Sequence, residues 1–243
     1  MFPPRRFGRA CGALLHFGLR AAFVALLLAL MPPLLQASAA PGALFSAPGT
    51  ALAAGGPAFA ATAPTLPAAR LPARGYWQAG VYYNPFAALA FAPPGDWQPA
   101  GDAELLERFG LEEDALPAEG APYPENPPPG AMLLDMQAYD PLTGANLLLR
   151  LHRYAGEWEG YMPALLAALL QSQSFEYESD GQIRPLELAG QSWLYFSVQI
   201  KGLRASQLYL ARDLGDCALL VNVLAVGGAS PDETLDYFRP LES

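Results

Sequence analysis

"SWLYFSVQIK", from Ser192 to Lys201, decides how this chain folds. Leu194, Phe196, Val198 and Ile200 alternate with Trp193, Tyr195, Ser197, Gln199 and Lys201. A repeat of two is the period of a half-buried β-strand, and it predicts the first set facing inward and the second outward. Gly202 marks a turn, and "RASQLYLAR" (Arg204 to Arg212) reads as the returning arm of a hairpin. Next, "DCALLVNVLAV" (Asp216 to Val226) is apolar on both sides of its pleat, as expected of a central strand covered on two faces.

Working outward, the same period recurs upstream. In "AMLLDMQAY", Met132, Leu134, Met136 and Ala138 alternate with Leu133, Asp135, Gln137 and Tyr139. "DPLTGAN" follows as a Pro/Gly/Asn turn, and "NLLLRLHRY" returns with Leu147, Leu149 and Leu151 on one side. Three segments have helical spacing instead. "GDAELLERFG" places Asp102 as N-cap, Leu105, Leu106 and Phe109 on one side, and Gly110 as the stop. "MPALLAALLQS" begins with Pro163 in its first turn. "SPDETLDYF" carries a capping box, Ser230 with Glu233, and turns Leu235 and Phe238 toward a core. The order predicts an α+β domain: one antiparallel β-sheet with helices packed on its faces.

The N-terminus reads as an address. Arg5, Arg6, Arg9 and Arg20 precede an apolar run from Ala21 to Met31, which Pro32 and Pro33 interrupt. A membrane-spanning helix needs roughly 20 apolar residues, so this run fits a secretory signal peptide, residues 1–39. Ala37-Ser38-Ala39 is the A-x-A site, with cleavage between Ala39 and Ala40; the alternative is an uncleaved signal anchor that tethers the chain to the membrane. Residues 40–74 are rich in Ala, Pro and Gly and predict a disordered linker. The globular domain is placed at 75–243, in a secreted or extracytoplasmic setting.

Charge and cysteine usage narrow the function. The whole chain carries a formal net charge of −9. Cleavage at residue 39 removes four of the 14 basic residues and no acidic one, leaving 10 against 23. An acidic surface of this kind repels phosphate backbones, which argues against nucleic acid as a partner. Cys217 is then the one remaining cysteine, so the domain relies on its apolar core rather than on an internal disulfide.

"YYNPFAALAFAPPGDW" introduces a resemblance. Tyr83-Asn84, the apolar stretch ending at Phe91, then Pro94 and Trp97 are similar to the opening "Y-x-N…L-x-F…P-x-G-W" of PsbP-like superfamily domains. "DMQAYDPLTGANLLL", "LELAGQSWLYF" and "LLVNVLAVGG…DETLDYF" follow in the same order. Ala88 stands where those domains usually have Gly, and Gly95-Asp96 reverses their acid-Gly order. The resemblance implies an antiparallel sheet sandwiched by helices, the α/β/α arrangement. It implies little about activity: members include a photosystem accessory protein and a nuclear-import factor, and many secreted members have no known role.

The residues themselves supply few reactive groups. His152 is the histidine left after cleavage, in an ordinary strand and on its outer side by alternation. Cys217 shares a side with Leu219, Val221 and Val223 and reads as a small buried hydrophobe, although sequence leaves a His152–Cys217 pair open. No zinc-type spacing or EF-hand loop is present, so no metal or cofactor is expected. "GYWQAGVYY" and "YAGEWEGY" place Trp77, Tyr82, Trp158 and Tyr161 as binding candidates, since aromatics beside acids suit sugars or peptide segments. The expected function is a non-enzymatic extracytoplasmic binding or accessory domain acting on an envelope protein or cell-wall component. A secreted hydrolase using a carboxylate pair among Asp135, Glu157 and Glu159 is the alternative; a structural envelope protein without a ligand is the third reading.

Overall fold

The computed structural model describes residues 71–124, 127–154 and 156–241. The expected signal segment and residues 40–70 of the expected linker lie outside them. Within the described residues the Pro72 carbonyl accepts from the Tyr123 amide at 2.8 Å, and Arg74 is buried.

Two antiparallel sheets form the body. A small one joins β1 (Tyr76–Gln78), β2 (Val81–Asn84), β3 (Leu89–Phe91) and the last strand, β12 (Phe238–Pro240). A large one is built from β4 (Gln98–Pro99), β5 (Met132–Tyr139), β6 (Asn146–His152), β7 (Tyr177–Glu178), β8 (Arg184–Leu188), β9 (Gln191–Ile200), β10 (Ala205–Asp213) and β11 (Ala218–Val226). Its order is β4-β5-β6-β11-β10-β9-β7, with β8 also paired to β9. Two helices, α1 (Asp102–Phe109) and α2 (Trp158–Leu170), and a 3-10 helix (Pro231–Tyr237) complete the layers.

Both expected hairpins form, Ala205 opposite Ile200 and Tyr139 opposite Asn146. β11 lies between β6 and β10 and is buried along nearly its whole length, as its apolar sequence demands. One face of the large sheet carries Leu147, Leu149, Leu151, Leu208, Leu210, Leu219 and Val221 and packs against Tyr82, Leu89, Phe91 and Phe238 of the small sheet. Leu235 and Tyr237 of the 3-10 helix close the same layer. On the opposite face, Phe196, Val198, Tyr209, Ala211 and Leu220 lie under α2. Leu134 and Leu148 meet Leu105 of α1 there. The fold is the antiparallel sheet flanked by helices on both faces that the sequence predicts, with the small sheet inserted on one side.

Five local expectations change. Trp193, expected outward, is 2% exposed and belongs to the core, because the first half of β9 is covered on both faces while Ser197 and Gln199 stay exposed. β5 does not keep one alternation: a bulge between Leu134 and Met136 adds a residue, so Met132 and Leu134 face the helices while Met136 and Ala138 face the small sheet. α1 is capped by Gly101, not Asp102, whose carboxylate instead pairs with Arg74 at 2.5 and 3.0 Å. α2 starts at Trp158, five residues before Pro163; the ring of Pro163 forgoes only the bond to the Glu159 carbonyl. The "SPDETLDYF" segment is capped by Ser230 through the Asp232 amide rather than through Glu233. It stays a single short 3-10 helix because Phe238 must leave it to pair with Phe91 in β12.

Candidate functional site

β6 and α2 build an aromatic patch where the strand ends and the helix begins. Leaving β6, the chain places Tyr154 next to the first turn of α2, whose 3.6-residue period puts Trp158 and Tyr161 on one side of the helix. Trp158 stacks on Tyr161 with centroids 5.6 Å apart and planes 14° apart. Tyr154 meets Trp158 at 5.9 Å and Tyr161 at 5.3 Å. Tyr161 is buried, while Trp158 and Tyr154 remain partly in solvent.

Polar groups fix this patch from both sides. Beneath it, the Tyr161 hydroxyl and His152 Nδ1 are 2.9 Å apart. At its rim, the Tyr154 hydroxyl donates to Asp213 Oδ1 at 3.1 Å. Burial, then the Asp213 bond, push the Tyr154 phenol up to about 12. Glu157, Glu159 and Asp213 are exposed around the rings. The result is a preformed apolar surface bordered by carboxylate acceptors, suited to a ring that offers C–H groups to the aromatics and hydroxyls to the acids.

Alternation placed His152 on the correct side of its strand, but that side is not solvent. His152 is 2% exposed under α2. Burial and the neighbouring Arg150 charge depress its imidazole from 6.5 to about 4. Above pH 6.5 it is neutral in folded and unfolded chains alike. Between 6.5 and about 4 the unfolded chain takes up the proton and the folded chain does not, so stability falls with acid and levels off below about 4. Each pH unit across that window is worth about 1.4 kcal/mol, and partial solvent screening leaves an expected drop of roughly 2 kcal/mol. Urea unfolding at pH 7 and at pH 4 compares the protein with His152→Gln. The variant should lose less stability on acidification by this amount, and equal losses would refute the assignment.

His152 and Cys217 do not form a catalytic pair. His152 lies opposite Ala218 in the β6–β11 register, so Cys217, one residue earlier, packs with Leu219 and Val221 beneath the small sheet. Cys217 is buried, and burial pushes its thiol up to about 11. It is the inert hydrophobe its spacing suggests.

Asp135, Glu157 and Glu159 do not converge either. Glu157 and Glu159 are exposed at the start of α2. Asp135 is fully enclosed on the side of the small sheet, where Oδ1 accepts from the Gly75 amide at 2.9 Å and Oδ2 from Asn84 Nδ2 at 2.6 Å. The Tyr123 hydroxyl reaches Oδ1 at 3.3 Å, and Arg74 Nε donates to the Asp135 carbonyl at 3.2 Å. Burial raises the carboxyl above its usual range against these bonds. The cluster ties the entering chain, β2 and β5 together, and its role is structural.

The four aromatic candidates fall into two groups. Trp158 and Tyr161 share the patch above. Trp77 and Tyr82 are 5.3 Å apart in the small sheet, on the other side of the large one. Tyr82 is 1% exposed and part of the core, so a ligand cannot reach it. Tyr154 and Asp213 belong to the patch without having been singled out in the sequence. The aromatic spacing 154-158-161 was a visible signal for the first; nothing local pointed to Asp213, which a different strand delivers.

Among the described residues, no group of three or more His, Cys, Asp and Glu side chains is placed to hold a metal ion. No helix among them is long and apolar enough to cross a membrane. No protein-family model matches the chain, and no curated protein sequence matches it. Among solved structures, it is similar to the solution structure of cyanobacterial PsbP (CyanoP) from Synechocystis sp. PCC 6803, at 10% identity and a TM-score of 0.42. The match covers 66% of this chain and 91% of that one.

Proposed function

We propose that this protein is an exported, non-enzymatic binding or accessory domain, and that the Tyr154–Trp158–Tyr161 patch is its contact surface for a cell-wall glycan. The observation that carries this reading is the half-exposed, pre-stacked Trp158, bordered by Asp213, Glu157 and Glu159. A rigid aromatic held by a second ring loses little conformational entropy on binding, and carboxylates at its edge accept hydroxyl hydrogens. The separation of His152 from Cys217, and of Asp135 from Glu157 and Glu159, supports binding rather than hydrolysis. Residues 1–39 supply the export signal and residues 40–74 the linker, whose last residues, Pro72 to Arg74, already pack on the domain.

Isothermal titration with soluble peptidoglycan fragments tests the reading. Trp158→Ala should weaken binding by about tenfold or more, corresponding to at least about 1.4 kcal/mol, while circular dichroism stays unchanged. Unaltered affinity in that variant would remove the patch from consideration. Absence of binding by the wild type would favour a structural envelope protein.

A further inference from the structure

The border of the aromatic patch carries more negative charge than a neutral sugar would need. Glu157 and Glu159 flank Trp158 in the chain, and both are exposed at the start of α2. Glu157 stands at the N-cap position, but its side chain makes no capping bond to the helix. Asp213 and Asp216, also exposed, bracket the turn between β10 and β11. That turn is held against the patch by the Tyr154 hydroxyl, which lies 3.1 Å from Asp213 Oδ1 and 3.4 Å from the Gly215 carbonyl oxygen. The Gly215 amide donates to the same Oδ1 at 2.8 Å, so both bonds fall on one oxygen of the carboxylate.

Among the described residues, no Lys or Arg forms an ion pair with any of these four carboxylates. Arg153, next to Tyr154 in the chain, turns its guanidinium to the Pro127 carbonyl instead. Attraction to the positive end of α2 accounts for Glu157 and Glu159, yet that end offsets only about half a charge. It does not account for Asp213 and Asp216, which a hairpin of the sheet brings to the same rings. Their charge reaches the patch: after burial and the Asp213 bond, the charges of Asp213 and Glu159 also push the Tyr154 phenol up. An aromatic face attracts an ammonium group, an indole most strongly, and carboxylates at its edge add to that attraction. Trp158 is stacked on Tyr161 and remains partly in solvent, so the platform is reachable. A sugar bearing hydroxyls alone would use the carboxylates as acceptors and leave their charge unbalanced.

Resting on the reading of this patch as a glycan contact surface, we propose that it selects amino sugars with a free ammonium group over their N-acetylated forms. The sugar ring lies on Trp158, and the ammonium faces Glu159 and Asp213.

Isothermal titration compares a fully deacetylated chitosan tetramer with its N-acetylated counterpart and with tetralysine, in weakly acidic buffer that keeps the amines protonated. The deacetylated tetramer should bind at least about tenfold more tightly than the acetylated one, the sum of one exposed cation–π contact and two surface ion pairs. Added salt should narrow the difference. The double variant Glu159→Gln/Asp213→Asn should lower the ratio of the two affinities at least about fivefold. The amide at position 213 still accepts from the Tyr154 hydroxyl, so the rings stay in place. An unchanged ratio in that variant would overturn the proposal. Equal, Trp158-dependent binding of both oligomers would overturn the charge selection and leave the glycan reading standing, whereas binding of neither would remove both. Tetralysine bound as tightly as the deacetylated tetramer would show selection of charge without a sugar ring, and would also overturn it. Should the double variant not fold, Glu159→Gln alone should lower the ratio at least about twofold, and no change there overturns the assignment.

Discussion

Replacing Asp135 by alanine should destabilise the protein by about 3–5 kcal/mol, the range for removing one partner from a buried charged cluster. The side chain is fully enclosed and accepts from the Gly75 amide and from Asn84. Without it, both donors remain buried and unsatisfied, each costing about 1–3 kcal/mol. Arg74 adds a second link through the Asp135 carbonyl, which the substitution leaves in place, so the loss is confined to the carboxylate. Asp135→Asn separates shape from chemistry. Its oxygen can serve one donor, but its NH2 then faces the other, so the expected cost is intermediate, about 1–2 kcal/mol. Urea denaturation midpoints measure both. A cost below about 1 kcal/mol for the alanine variant would show that the cluster does not hold the three segments together.

Gly75→Ala should cost about 3 kcal/mol, near the upper end of overpacking effects. A Cβ built there would lie 2.1 Å from the Tyr82 hydroxyl, 2.3 Å from Tyr82 Cζ and 2.5 Å from the Tyr83 carbonyl oxygen. Tyr82 is locked in the core, and the carbonyl belongs to a paired strand, so neither gives way easily. The double variant with Tyr82→Phe discriminates between causes. It removes the hydroxyl, together with its interaction with Asp135, but leaves Cζ of the ring and the Tyr83 carbonyl in place, so most of the loss should persist. Full recovery in the double variant would place the clash at the hydroxyl alone. Because the Gly75 amide also donates to Asp135, any backbone shift made to admit the methyl group weakens that bond too, and the two substitutions should be non-additive.

Much of the sheet was legible because a period of two survives wherever one face of a strand is buried against a layer. The turns at Gly202 and at "DPLTGAN" then fixed which strands pair. Trp193 escaped the reading because alternation reports chemical contrast, and β9, with apolar partners on both faces, buries an aromatic on the side where serine and glutamine also lie. The β5 bulge escaped for a different reason. A single added residue leaves no mark on composition, yet it reverses the facing of everything beyond it. Asp135, at that point, stood among the candidates for a carboxylate pair and became the most enclosed acid described.

The candidate site was half visible. Trp158 and Tyr161 stood out by spacing, and Tyr154 fits the same helical entry. Asp213 and the position of His152 depended on β11 being laid beside β6 and β10 beside β11.

By itself, the amino-acid order determined the alternating strands, the two hairpins, the central apolar strand and the stop at Gly110, all of which rest on interactions between near neighbours. The tertiary structure alone decided which polar side chains are enclosed: Asp135 beneath the small sheet, His152 under a helix, Arg212 against Trp193. Burial is set by whatever layer arrives on top, and here those layers come from distant parts of the chain.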